Sequence, residues 1–325
     1  VSAAEQEFEV VVASRTVAAA DVILLELARP DGGPLPEWTP GAHIDVVLVA
    51  GASASERLER QYSLCGDPAD RGSWRIGILR EPGGRGGSVR LHDVVRVGDR
   101  LTVRGPRAHF ALVPGTGPVV FVAGGIGITP LLPMVAAADA AGRDWRLAYA
   151  GRSRSSMAFV GQLAAAHPDR VEVFAADEGR RLELDAVTRP AADGVAVYCC
   201  GPARMVDAVE ALSAGWPADT LHRERFEPKT PTPHAADTAF EVELELSGLS
   251  LTVPADRSVL DVVEESGVLV LSSCREGTCG TCETPVIAGE VDHRDSVLTR
   301  SEQEANTAMM ICVSRAACPR LVLEL

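Results

Sequence analysis

No stretch of this 325-residue sequence approaches the roughly 18 consecutive apolar residues that a membrane helix needs, so no membrane span is expected. The first residues, VSAAEQEFEV, offer neither a basic segment nor an apolar core, so no secretory signal is read there. Basic charge is not in excess: 45 Asp and Glu outnumber 31 Lys and Arg for a net charge of −14, which argues against nucleic acid and anionic membrane as partners. Internal repeats and low-complexity tracts are also missing. The seven histidines are scattered and no acid–base triad stands out. Eight cysteines without a secretory signal suit a reducing, cytoplasmic compartment, where clustered thiolates hold metal more often than they form disulfides.

The length suggests two or three domains at roughly 150 residues each. The acidic charge is uneven. Residues 238–325 carry 15 acidic against 6 basic side chains, a net −9, which suits docking to a basic protein surface. Residues 1–107 read as short β runs between Gly and Pro turns (FEVVVASRTV, DVILLELARP, HIDVVLVA, RQYSLCG, SWRIGILRE, DRLTVRGP), the pattern of an antiparallel β-barrel. From 114 to 226 the rhythm alternates strand and helix, beginning with the continuous apolar run PVVFVAGG, which predicts a doubly wound α/β domain around a parallel sheet. EPKTPTPHAADT, residues 227–238, reads as a linker. Residues 239–325 predict an α+β domain: two strands around SGLS, a short helix in SVLDVVEESG, and late strands in MMICV and LVLEL.

Within that last block, SSCREGTCGTCE places Cys274, Cys279 and Cys282 in nine residues, and Cys312 follows. This is the plant-type spacing for a [2Fe–2S] cluster, a tight loop giving three thiolates and a distant strand the fourth. Gly277 and Gly280 allow the loop positive φ and leave N–H groups free for sulfur. The alternative, a four-cysteine zinc site, usually shows two C-x2-C pairs, and only one is present. Cys65, Cys199 and Cys318 read as small structural thiols.

The common G-x-G-x-x-G fingerprint is lacking, but VVFVAGGIGITPLLPM puts Gly124, Gly125 and Gly127 between a buried strand and a helix, where a pyrophosphate can meet helix N–H groups. YCCGPARM places Cys200, Gly201 and Pro202 at the carboxyl edge of the last predicted parallel strand. In the barrel, RQYSLCG offers Arg60, Tyr62 and Ser63, with Arg60 and Tyr62 expected on one face and Ser63 on the other. The loop REPGGRGGSVRLHD, with Gly83, Gly84, Gly86 and Gly87 before Ser88, reads as an anion nest opening a short helix.

R-x-Y-S, GGRGGS, GGxGxTP, CGP and the cysteine cluster, in this order, resemble the phthalate dioxygenase reductase family of the ferredoxin–NADP reductase superfamily, in which a plant-type ferredoxin domain is fused at the C-terminus. The resemblance covers essentially the whole chain. It implies a multidomain protein: an FMN-binding β-barrel, an NAD(P)H-binding α/β domain and a β-grasp ferredoxin domain holding [2Fe–2S] on Cys274, Cys279, Cys282 and Cys312. It also implies that Arg60, Gln61, Tyr62 and Ser63 line the flavin, with Ser63 near flavin N5. Gly77 and Ile78 would meet the ring edge, and Gly86, Gly87 and Ser88 the FMN phosphate. At Leu79 some members carry a basic residue, which leaves Arg80 or Arg60 for the phosphate. Gly124, Gly125, Gly127 and Thr129 match the pyridine-nucleotide turn, Cys200, Gly201 and Pro202 the nicotinamide side, and Glu224 and Phe226 of RERFEP a cover over the ring.

In GRSRSS, Arg152 and Arg154 stand where an acidic residue would favour the ribose hydroxyls of NADH, a placement that suits a 2′-phosphate. Members commonly use NADH, so either nucleotide is expected. The implied activity is electron transfer from NAD(P)H through FMN and [2Fe–2S] to a terminal oxygenase, either a Rieske non-haem iron oxygenase or demethylase or a haem-thiolate monooxygenase. That partner is expected at the acidic ferredoxin domain of a monomeric chain, with Arg275, Glu276 and Glu283 the first docking candidates. The alternative is a redox-sensing or electron-carrier flavo-iron–sulfur protein with little turnover.

Overall fold

A computed structural model describes residues 7–49, 57–229 and 237–325, so most of the expected linker, residues 230–236, lies outside the described residues. The chain divides after Glu224 into two compact units.

The first unit begins with six antiparallel strands: β1 Glu7–Ala19, β2 Val22–Ala28, β3 His43–Val49, β4 Arg57–Ser63, β5 Trp74–Leu79 and β6 Arg100–Arg107. Their order is β4-β3-β6-β1-β2-β5. The two outer strands meet through a bridge between Leu64 and Ile76 and a Cys65 N–H bond to the Arg75 carbonyl at 2.8 Å, which closes the barrel. Period-two alternation fills it. Val10 and Val12 of β1, Leu25 and Leu27 of β2, and Ile76 and Ile78 of β5 are buried, and each such side chain contributes about 1.5–3 kcal/mol on burial. Helix α1, Gly87–Asp93, follows the glycine loop.

The same unit continues with a parallel sheet of β7 Val119–Gly124, β8 Trp145–Gly151, β9 Val171–Ala175, β10 Ala196–Cys200 and β11 Leu221–Glu224. Between them run α2 Ile128–Ala140, α3 Val160–Ala166, α4 Leu184–Thr188 and α5 Ala203–Leu212. Every residue of β7 is buried, as its unbroken apolar run requires. The order β11-β10-β7-β8-β9 reverses between β7 and β10, and such switch points open a crevice at the carboxyl ends of the strands. Strand β11 is not legible in LHRE, which shows no apolar alternation; it exists because it pairs with β10.

The second unit holds β12 Phe240–Leu244, β13 Leu249–Val253, α6 Val259–Glu265, β14 Glu283–Ala288, β15 Val291–Asp292, α7 Arg300–Ala305, β16 Ala308–Met310, β17 Arg315–Ala316 and β18 Arg320–Leu323. The sheet order is β13-β12-β18-β14-β16, with β12 and β18 parallel and the other pairs antiparallel. Val259, Leu260 and Val263 of α6 share a core with Val242, Leu244 and Leu321. One expectation needs correction: Cys312 does not lie in a strand. The strand in MMICV stops at Met310, because the Val313 and Ser314 N–H groups turn back to the Met310 carbonyl at 3.2 and 3.0 Å, and Cys312 rides on that turn.

Candidate active site and metal centre

The glycine turn after β7 and the Cys-Gly-Pro segment after β10 flank the switch point, and the packing there leaves no room for side chains. A Cβ on Gly127 would lie 2.3 Å from the Cys200 carbonyl oxygen. The two loops therefore meet backbone to backbone, and the amino end of α2 is delivered to the crevice without a capping side chain. Tyr149 of β8 holds the turn from beneath, its hydroxyl donating to the Gly125 carbonyl at 3.1 Å and lying 3.0 Å from that of Ala158. Thr129 donates its hydroxyl to the Ile126 carbonyl at 2.9 Å.

Strand pairing sets Cys200 level with Ala123 on one side and Glu224 on the other. Ser63, the last residue of β4, reaches Glu224 Oε2 from the barrel at 3.4 Å, although the two are 161 positions apart. Ser63 and Cys200 are both buried. Burial pushes the Glu224 carboxyl up to about 8, with the Ser63 hydrogen bond opposing the rise. Burial also raises the Cys200 thiol well above its ordinary value. At neutral pH the crevice therefore presents a protonated carboxyl, a hydroxyl and a neutral thiol: a site that holds and moves a proton rather than one that attacks.

On the barrel side, a Cβ on Gly77 of β5 would come within 2.8 Å of the Thr129 methyl, so backbone alone fits there. The Ile78 side chain is inside the barrel, and its carbonyl lies 2.9 Å from His92 Nε2. Tyr62 packs against the barrel core. The Gln61 amide bonds Asp45 at 2.7 Å, a carboxylate that also holds Arg107. The two candidate phosphate cations separate clearly. Arg80 is paired with Asp93 at 2.8 Å, whereas Arg60 lies against Gly87, bonded to the Arg85 carbonyl of the glycine loop at 2.7 Å. Gly86 precedes the first turn of α1, and the Ser88 hydroxyl accepts the Glu81 N–H at 3.1 Å. A loop of amides with one guanidinium and one hydroxyl fits the phosphate of a flavin mononucleotide.

Arg152 and Arg154 follow β8 at the same carboxyl edge, Arg154 bonded to Glu178 at 2.8 Å. Phe226 falls in the second unit and exposes its ring.

The four cluster cysteines are all buried. Hydrogen bonding among their thiols draws Cys274 and Cys282 below the ordinary range and pushes Cys279 and Cys312 above it, so the four sulfurs face one another. The Glu276 and Thr278 N–H groups point at Cys274 Sγ at 3.3 and 3.4 Å, and the Thr281 hydroxyl lies 3.1 Å from Cys279 Sγ. Gly277 has φ +70°, and a Cβ there would strike Val313 at 2.6 Å. Four converging thiols with inward backbone donors fit a [2Fe–2S] cluster. The sequence reading missed the loop that braces them: the Ser296 N–H bonds the Gly277 carbonyl at 2.8 Å, and the buried Asp295 accepts the Val297 and Leu298 N–H groups at 2.9 and 2.8 Å. Arg275 is engaged within the unit by Glu264 and Asp261 at 2.7 and 3.0 Å.

Residues 242–317 match the family model described as a 2Fe-2S iron-sulfur cluster binding domain. The chain is 43% identical over 306 residues to the phenoxybenzoate dioxygenase subunit beta of Ectopseudomonas oleovorans, covering 94% of this chain and 93% of that one. To the phthalate dioxygenase reductase of Burkholderia cepacia it is 38% identical, covering 97% and 96%. Among solved structures, an intact type IV self-sufficient cytochrome P450 monooxygenase matches with TM-score 0.90 and 44% identity over 98% of this chain, which spans only 41% of that longer polypeptide. A phthalate dioxygenase reductase, described as a modular structure for electron transfer from pyridine nucleotides to [2Fe–2S], matches with TM-score 0.67 and 37% identity over 98% of both chains. With the barrel, the switch-point crevice and the four-thiol loop in the order these relatives share, the chain belongs to the phthalate dioxygenase reductase family.

Proposed function

We propose that this chain is the reductase of an oxygenase system, taking electrons from NAD(P)H and passing them through FMN and [2Fe–2S] to a terminal oxygenase. The observation that carries the reading is the meeting of Ser63, Glu224 and Cys200 at the switch point, opposite the backbone of Gly77. FMN, when bound, accepts both electrons of the nucleotide and releases them one at a time to the cluster, which takes only one. The chain's own residues do the rest. Arg60, Gly86, Gly87 and Ser88 hold the flavin phosphate, and Tyr62 and the Gly77–Ile78 backbone border its ring. Gly124, Gly125, Gly127 and Thr129 receive the nucleotide diphosphate, while Cys200, Gly201 and Pro202 shape a dry seat for the nicotinamide. Ser63 and the protonated Glu224 hold a proton beside the reacting face. Cys274, Cys279, Cys282 and Cys312 carry the cluster.

The partner is a terminal oxygenase that presents a basic surface to residues 238–325, whose net charge is −9. Glu276 and Glu283 are the docking candidates, since Arg275 is engaged by Asp261 and Glu264. The chain acts as a monomer. No helix among the described residues is long and apolar enough to cross a membrane.

The test is anaerobic addition of NADH or NADPH to the purified protein. Flavin and iron–sulfur absorbance are expected to bleach, with iron and acid-labile sulfide present and zinc absent. No bleaching with either nucleotide would overturn the reading.

A further inference from the structure

The turn between β15 and α7 lies against both stretches that carry the cluster cysteines. On the side of the three-cysteine loop, the Ser296 N–H bonds the Gly277 carbonyl at 2.8 Å, and the Asp295 Cα lies 3.2 Å from where a Cβ on Gly277 would stand. On the side of the fourth cysteine, the Arg294 N–H bonds the Ser314 hydroxyl oxygen at 3.2 Å, two residues beyond Cys312. Gly277 stands between Glu276 and Thr278, whose N–H groups point at Cys274 Sγ. Asp295 is therefore set directly behind the loop whose donors face sulfur.

The Asp295 side chain is fully buried and only half of it is satisfied. Oδ2 accepts the Val297 and Leu298 N–H groups at 2.9 and 2.8 Å, whereas Oδ1 has no hydrogen-bond partner among the described residues. No Lys or Arg among the described residues pairs with it. Arg294, its neighbour in the chain, is turned to Asp237 and Asp292, each at 2.6 Å. His293 Nδ1 lies 3.8 Å from Oδ1, too far for a hydrogen bond. A turn of this kind needs only a neutral acceptor, which Asn supplies as well as Asp, and a buried carboxylate costs far more than a buried amide. The charge is thus surplus to the turn, and its remaining effect falls on what lies in front of it. Taking up an electron adds negative charge at the cysteine loop, and a buried carboxylate opposes this more strongly than a solvated one. Net charge around such clusters is among the factors that set their potentials.

We propose that Asp295 sets the reduction potential of the cluster, its buried negative charge making the cluster a weaker electron acceptor and so a stronger donor to the partner. The inference rests on the four cysteines holding [2Fe–2S]. It is tested by anaerobic redox titration of the holoprotein in wild type, Asp295→Asn and Asp295→Ala, followed by the electron spin resonance of the reduced cluster. Loss of iron–sulfur absorbance to a chelator is timed in parallel. Asp295→Asn keeps an oxygen for the Val297 and Leu298 N–H groups and removes the charge. It is expected to shift the reduction equilibrium about tenfold towards the reduced form, about 59 mV upward for a one-electron couple. Its cluster should be lost to the chelator no faster than that of wild type. The shift should persist in about 1 M salt, where exposed charges are screened within about 3 Å and buried ones much less. Asp295→Ala removes the acceptor as well, so it should show the same shift together with faster loss of the cluster. An Asp295→Asn potential equal to or below that of wild type would overturn the inference, and a shift confined to Asp295→Ala would place the effect in packing. A shift that vanishes in salt, or an Asp295→Asn protein that holds no iron, would overturn it too. A wild type without iron and acid-labile sulfide would instead overturn the cluster reading itself.

Discussion

The two units treat the starts of their helices in opposite ways. In the second unit, α6 and α7 are closed by capping boxes: Ser258 and Asp261 on one, Thr299 and Glu302 on the other. In the first unit, α2 and α5 begin at Gly127 and Pro202 with no side chain on their free N–H groups. Each helix leaves its first four N–H groups unbonded, and a cap satisfies only some of them. Those left open at the switch point remain available as donors to an anion, as the proposed nucleotide seat requires. The second unit needs no such donors at its helices. Its ligand-facing N–H groups come from the cysteine loop, where Glu276 and Thr278 point at sulfur. The first unit assembles its candidate site from β4, β5, β7, β10 and β11, whereas the second gathers three of its four buried cluster cysteines in one loop.

The comparison breaks most sharply at the cluster. Cys279→Ser is expected to abolish reduction of any one-electron protein partner, a loss of at least about a hundredfold, because even groups that only support a metal ligand are worth up to about that much. Flavin reduction by the nucleotide should persist, followed by absorbance at the flavin band. Loss of both would mean that the two sites are not independent.

Gly127→Ala comes next. Its Cβ would meet the Cys200 carbonyl carbon and oxygen at 2.4 and 2.3 Å, and neither backbone can give way cheaply. A cost of about 3 kcal/mol, the upper end for overpacking, is expected in urea unfolding, together with weakened nucleotide binding. Gly277→Ala, strained by φ +70° but facing the movable Val313 side chain, should cost about 1–2 kcal/mol. The reverse order would show that the switch point is looser than its packing implies.

What was legible in the sequence follows the same division. The cysteine loop, the glycine turn and the anion loop are contiguous, and each needs particular residue types at fixed spacing, so they could be read directly. The barrel and the parallel sheet were legible from period-two alternation and from the unbroken apolar run of β7. Three things were not. Strand β11 is held by its neighbour and not by its own pattern. The Ser63–Glu224 contact closes over 161 positions, and no local period encodes such a pair. Tyr149 reads as one more apolar residue of β8, and only the fold shows its hydroxyl under Gly125. The Arg80–Asp93 ion pair and the bond from Arg60 to the Arg85 carbonyl of the glycine loop are likewise visible only in the fold.

The protonated carboxyl at Glu224 gives the first unit a pH signature of its own. Its folded value of about 8 lies above the ordinary carboxylate value, so between pH 4.5 and 8 the folded protein holds a proton that the unfolded chain has released. Stability from this group is full below that window, falls as pH rises through it, and is flat above. Glu224→Gln should match wild type near pH 5 and exceed it by more than about 1 kcal/mol near pH 9, since each tenfold difference in proton affinity between the folded and unfolded chain is worth about 1.4 kcal/mol. Parallel stability curves for the two proteins across that range would show that Glu224 is not held neutral. Flavin reduction by NADH should slow above pH 8 in wild type and lose that dependence in the variant.

The smallest effect tests the helix starts themselves. The Ser258 hydroxyl accepts the Asp261 N–H at 3.1 Å and donates to the Asp261 carboxylate at 2.7 Å, which draws that carboxyl below its ordinary value. Ser258→Ala removes both bonds and should cost about 1 kcal/mol, the usual worth of an N-cap. Because α6 packs Leu260 and Val263 into the core behind the cluster, the loss should appear as easier urea unfolding of the second unit, with the rate of flavin reduction unchanged. No equivalent variant exists on α2, whose first turn carries no capping side chain to remove. If Ser258→Ala left stability untouched, the caps of the second unit would be ornament rather than anchorage. The contrast between closed and open helix starts would then carry no functional meaning.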